Sequence, residues 1–182
     1  MNYYGAKELA ASFRTVRNNT VIIADEIGEE HYGYRPTPST RTVAETLVHI
    51  AVVPRVPHQV HAIDHLSDVS KFDFLDFYGG LIIIEKTPHT KAQVINLLKE
   101  EGERFAGWLE SVSDEFLAEK VAMPEGMGAP KSRFEMLLGP KEHEMHHRGQ
   151  LMLMERLLGI TPHLTRQMEA RMAAMQSAKA GS

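Results

Sequence analysis

Three strings of one design punctuate this chain: TVAE at 42–45, TKAQ at 90–93 and SRFE at 132–135. In each, a hydroxyl residue stands three positions before Glu or Gln, the spacing with which side chains and backbone N–H groups reciprocally close a helix N-terminus. An apolar stripe at helical spacing follows each one. The second helix carries Val43, Leu47 and Ile50, and the third carries Val94, Leu97, Leu98, Phe105, Leu109 and Val112. The last runs to Leu158, where Gly159 and Pro162 supply a stop. Ahead of all three, Leu9, Phe13, Val16, Ile23 and Ile27 recur at intervals of three, four and seven, which predicts a first helix between Lys7 and Gly28. Four amphipathic helices must bury four stripes against one another, so the expected fold is all-α, a four-helix bundle. No stretch shows the strict alternation of a half-buried strand.

At 182 residues the chain suits one domain over 1–182, able to bury roughly 70% of its unfolded surface. There is no cysteine, which excludes disulfides, thiolate metal ligands and a protein-borne thiol nucleophile. Any metal must therefore be held by nitrogen and oxygen. The net charge of −4 and the lack of a Lys/Arg cluster argue against nucleic acid as a partner. The opening MNYYGAKELAASFRTVRNN has no secretory pattern, so a cytoplasmic location is the expectation. GGLIII falls far short of the roughly 20 apolar residues that span a bilayer, so no membrane association is expected.

Prolines shape the helices. Pro54 and Pro57 predict a kink or split in the second helix, whose far half reaches about Leu66, and Pro140 predicts a bend in the fourth, just before its histidines. Residues 67–88, SDVSKFDFLDFYGGLIIIEKTP, lack a sustained helical period and are expected to form a long connection with short local structure. SDEFLAEKV is expected as a short helix and AMPEGMGAPK as a loop, while the tail from about 172 is expected to fray.

The fourth helix carries HEMHHRGQ, residues 143–150, whose first five residues fit the zinc motif H-E-x-x-H. His143 and His147 lie one turn apart on the apolar face that continues through Leu151, Met154 and Leu158, so both point along the bundle interior. Two imidazoles can grip a divalent ion, but a site needs a third ligand. A metallopeptidase would take it from a later helix, with Glu169 available and Glu144 as general base. A bundle would take it from a facing helix, and His49, set in the apolar ETLVHIAV, is the candidate. The chain shows no strand pattern ahead of the motif and no pro-segment, and the helical wheel turns Glu144 about 100° from His143, outward as a surface charge. The peptidase context fails.

TVAETLVHI on the second helix together with KEHEMHHRGQLMLMERLLGITP on the last resembles the DinB/YfiT-like superfamily of four-helix-bundle metalloproteins, over nearly the whole chain. The resemblance implies an up-down-down-up bundle with long inter-helix connections and makes His49, His143 and His147 the metal ligands. It implies one divalent transition metal ion per chain, zinc or nickel, since all-nitrogen ligation suits both. Some members of that superfamily are thiol-dependent transferases or isomerases that use a low-molecular-weight thiol such as mycothiol or bacillithiol. The expected activity is therefore metal-dependent chemistry on a small-molecule substrate, thiol S-transfer first and hydrolysis second; a non-catalytic metal-binding or stress-related interaction protein is the alternative class.

The neighbouring residues receive plainer readings. His146 is expected at the surface, Glu45 as a capping residue rather than a partner of His49, and Arg148 and Gln150 in helix packing. His58, His61 and His65 in HQVHAIDH are expected to face solvent or a homodimer partner, and Phe72, Phe74, Phe77 and Tyr78 to close the core or a subunit interface.

Overall fold

The computed structural model describes residues 4–180; the first three residues of the leader reading and the last two of the tail lie outside them. Nine α-helices are present among the described residues. In chain order they are α1 (Ala6–Glu26), α2 (Val43–Val52), α3 (Arg55–His58), α4 (Phe74–Lys86), α5 (Lys91–Ser111), α6 (Asp114–Ala118), α7 (Arg133–Leu137), α8 (Gly139–Leu157) and α9 (His163–Ala180). The bundle is built by α1, α2, α5 and α8: α1 packs on α5 and α8, and α2 packs on α5, α8 and α4.

All three capping boxes form. Thr42, Thr90 and Ser132 accept from the backbone N–H three residues on, and Glu45, Gln93 and Glu135 accept in return from the cap N–H. Each such cap stabilises its helix by about 1 kcal/mol. The prolines act as the sequence predicts. α2 ends at Val52, α3 is a single turn, and the chain then widens into a π-helix at Gln59–Ile63. A turn at Leu138, just before Pro140, separates α7 from α8.

The expected long connection is corrected at its second half, which is a helix. Asp73 caps α4 by accepting from the Asp76 N–H at 3.0 Å, and the face carrying Leu81 and Glu85 is buried. Gly79, Gly80 and the β-branched Ile82–Ile84 depress helix propensity in this stretch. Packing on α2 outweighs that local preference. The expected short helix appears as α6, and beyond it Lys120–Val121 (β1) pairs antiparallel with Lys131–Ser132 (β2), closing the intervening loop with a two-residue ladder too short to show a strand period.

The core falls into two apolar clusters. One gathers Leu9, Phe13, Phe105, Leu109, Leu117 and Leu137; the other gathers Ile23, Leu47, Ile50, Leu98, Leu151 and Met154. Along α1 a buried polar level separates them. Arg17 pairs with Glu144 at 2.9 Å and donates to the carbonyls of Leu98 and Ile50, while Thr20 donates to Glu144 at 2.7 Å. One guanidinium thus ties α1, α2, α5 and α8 together. Gly102 makes room for it, since a Cβ there would lie 2.7 Å from Arg17 Cγ.

Beyond its first turns α9 leaves the bundle: residues 166–179 are all exposed, Met168, Met172 and Met175 among them. Among the described residues no helix is long and apolar enough to cross a membrane.

Candidate metal centre

The Thr42 cap sets where α2 begins, and its apolar residues Val43, Leu47 and Ile50 face the bundle interior; in that register His49 is turned towards α8 and is only 3% exposed. From α8, His143 and His147 rise one turn apart to meet it. His49 Nε2 and His147 Nε2 lie 3.2 and 3.1 Å from His143 Nε2, and the three ligand nitrogens fall within 4.8 Å of one another. Imidazoles on a tetrahedral ion at 2.0–2.1 Å sit about 3.3 Å apart, so this spacing suits one divalent cation.

Proton accounting supports the same fit. His49 Nδ1–H donates to Glu85 Oε2 at 3.0 Å, and His147 Nδ1–H donates to Gln150 Oε1 at 2.8 Å. With those protons placed, both Nε2 atoms present lone pairs to His143. A neutral His143 has one proton at most and cannot satisfy two acceptors. A cation would satisfy all three nitrogens. Burial, followed by the neighbouring His147 and His49, pushes the His143 imidazole down to about 4, and burial also lowers His147 against the opposing hydrogen bond that it donates to Gln150. His143 and His147 are thus held in the neutral form that a metal requires.

Glu85 is the centre's main outer support. Burial alone would raise its carboxyl, but the hydrogen bonds from His49 and from Arg41, whose Nε lies at 2.7 Å, outweigh burial and hold it below the usual carboxylate range. Arg41, Glu85 and His49 therefore form a continuous chain that orients the ring. Two clefts flank the triad. One, of about 650 Å³, lies between residues 35–41, α4 and α8 and reaches His147 and Gln150. The other, of about 520 Å³, is bounded by Val53, Val56, Phe74 and Tyr78 and reaches His49 and His143.

The sequence profile of the DinB superfamily matches residues 12–151, which span His49, His143 and His147. The chain belongs to this family. It is similar to the Bacillus subtilis protein YjoA, 24% identical over 156 residues that cover 86% of this chain and 92% of that protein. The crystal structure of YjoA, a DinB-like protein, superposes with a TM-score of 0.62 over 85% of this chain and 93% of its own, at 23% identity. A DinB-like protein from Bacillus cereus ATCC 10987 also gives a TM-score of 0.62, at 17% identity, over 88% of this chain and 97% of that one. These likenesses place the chain in the DinB fold, an all-α bundle.

In this DinB chain His49, from the helix facing α8, meets His143 and His147, while several neighbours depart from expectation. Glu144 does not face outward. It is 1% exposed, and its carboxylate is engaged by Arg17 and Thr20, because the helix turn that sends His143 towards α2 sends Glu144 towards α1. It is not available as a peptidase base, and Glu169 is exposed on α9. His61 is likewise buried rather than solvent-facing: Arg133 Nη1 donates to its Nδ1 at 2.9 Å, and burial, then Arg133, push it down to about 4. The π-helix rotates it inward from the position a straight helix predicts. His58 rests edge-on against Trp108, and the exposed His65 pairs with Glu119.

Glu45 keeps its capping role and binds Lys86, not His49. His146 is exposed; its ring packs edge-on against His147, and Gln150 Nε2 donates to it at 3.2 Å. Phe77 and Tyr78 pack against the core as expected, while Phe74 and Tyr78 stack on each other and line the cleft beside His49. Sequence reasoning missed two groups. Gln150 had a visible signal, three positions after His147 on one helix face; Glu85, 36 residues from His49 on an unrecognised helix, had none.

Proposed function

We propose that this protein binds one divalent transition metal ion through His49, His143 and His147, and that it is a metal-dependent enzyme acting on a small molecule, with thiol S-transfer the leading class. The observation that carries this reading is the convergence of three Nε2 atoms within 4.8 Å while the Nδ1 atoms of two of the rings are bound to outer acceptors. Three protein ligands leave a position for substrate, as catalytic rather than closed structural sites do. Two roomy clefts bordering the triad support turnover over mere storage.

A bound ion would supply Lewis acidity, lowering the pKa of a thiol or water brought to its open position. The chain's own residues do the rest. Glu85 fixes the tautomer and orientation of His49, Gln150 does the same for His147, and Arg41 keeps Glu85 ionised in its buried place. Phe74 and Tyr78 line one approach with aromatic surface. Among the described residues no carboxylate is free beside the triad to act as general base, because Glu85 is engaged by His49 and Arg41, and Glu144 by Arg17 and Thr20. That arrangement suits activation of a thiol, which ionises readily, better than base-assisted attack by water.

Elemental analysis of the purified protein and of His49→Ala, His143→Ala and His147→Ala tests the site. About one ion per wild-type chain and clear loss in each variant are expected; full retention in any two variants refutes it. Metal-dependent consumption of a small thiol in the presence of an electrophile, absent in His147→Ala, tests the reaction class.

A further inference from the structure

The two clefts beside the triad differ in charge. Among the described residues the 520 Å³ cleft has no Asp, Glu, Lys or Arg in its lining, and its polar side chains there are those of His49, His143 and Tyr78. The 650 Å³ cleft presents Arg35, Arg41 and Lys86 on its walls, next to His147, with the hydroxyls of Ser39 and Thr40 at its rim. The carboxylate in its lining, Glu85, is turned to His49 and Arg41. Glu45 lies behind the other two cations: Lys86 Nζ donates to its Oε1 at 2.9 Å, and Arg35 Nη2 stands 3.6 Å from its Oε2. Glu45 itself is 16% exposed and serves the α2 cap, so it braces Arg35 and Lys86 from behind rather than covering them; their side chains remain 41% and 55% exposed.

Three cations against two carboxylates leave this cleft positive in a chain whose net charge is −4. A divalent ion on the triad would add to that field at the cleft floor. A concave site of one sign with low-dielectric walls concentrates ligands of the opposite sign. Arg35 and Arg41 also offer planar forks matched to carboxylate geometry, which a point charge cannot.

We infer that the substrate is a small organic anion whose carboxylate is held by Arg35, Arg41 and Lys86 while its reacting end reaches the triad past His147. This deepens the metal-dependent reading above and rests on it. The polarity is directional: the anionic end occupies the cleft between residues 35–41 and α4, and the apolar end or second reactant occupies the cleft of Phe74 and Tyr78.

The test uses cobalt-loaded full-length protein, whose visible absorption reports a thiol reaching the ion. It compares 3-mercaptopropionate with its neutral counterpart 3-mercapto-1-propanol. Mercaptopropionate is expected to half-saturate the spectral change at about tenfold lower concentration, with the preference shrinking as salt rises. The double variant Arg35→Gln/Lys86→Gln leaves the histidines, Glu85 and Gln150 untouched, so it should load cobalt normally and reduce the preference to about twofold. Normal loading with equal response to the two thiols overturns this inference alone, as does a preference that survives in the double variant. Failure of wild-type protein to take up cobalt overturns the metal site and this inference together.

Discussion

Glu155 is buried on α8 with neither carboxylate oxygen hydrogen-bonded among the described residues. Glu26 from α1 faces it, Arg166 approaches from α9, and Arg156 lies on its own helix. Burial, then Glu26, push its carboxyl up from the ordinary 4.5 to about 7; Arg166 and Arg156 oppose the rise only in part. Between these values the unfolded chain releases a proton that the folded chain keeps. The contribution of Glu155 to stability is therefore greatest below pH 4.5, falls as pH rises towards 7, and levels off above it. At about 1.4 kcal/mol per tenfold step the full loss is about 3 kcal/mol.

Glu155→Gln keeps the shape and cannot ionise. In urea unfolding followed by helical circular dichroism, the stability difference between variant and wild type should move in favour of the variant by about 2.5 kcal/mol between about pH 5 and about pH 8. A difference that stays constant over that range would refute the reasoning, because it would mean that Glu155 titrates alike in both states. Metal content should not change, since Glu155 contacts none of the triad.

Other perturbations reach the bundle and the centre separately. Glu85→Gln retains shape but weakens the acceptor that orients His49, so metal affinity measured by chelator competition should fall by about 10- to 100-fold with little loss of thermal stability. Arg17→Leu leaves Glu144 in the core without its cationic partner, and should cost about 3–5 kcal/mol in denaturant unfolding, whereas the joint Arg17→Leu/Glu144→Leu change should recover much of that. Gly102→Ala pushes a methyl against Arg17 Cγ, and should destabilise by about 1–3 kcal/mol in wild type but by clearly less in the Arg17→Leu background. Thr42→Ala removes the α2 cap and should lower stability by about 1 kcal/mol, read as a small shift in thermal midpoint.

The centre was legible to different depths. His143 and His147 announce themselves because helical spacing is a local property: two positions four apart share a face whatever surrounds them. His49 could be nominated because an imidazole in an apolar stripe needs a partner. Glu144 was misread because the wheel gives angles relative to a neighbour, not which other helix lies at each angle. Its direction, outward by the simplest reading, is inward towards α1 because α8 is enclosed on two sides. His61 moved for a related reason, since the π-helix at Gln59–Ile63 alters the angle per residue and carries it to Arg133.

Periodicity and caps alone establish the all-α bundle, the starts of α2, α5 and α7, the breaks at Pro54 and Pro140 and the histidine pair, since each depends on interactions within a few residues. Tertiary packing alone decides the rest. It makes α4 a helix against its glycines and β-branched residues, brings Glu85 to His49 and buries Glu144 against Arg17. It also sets Arg35, Arg41 and Lys86 around one cleft. Those outcomes rest on contacts between positions tens of residues apart, whose free energy exceeds local preference and leaves no periodic trace in the chain.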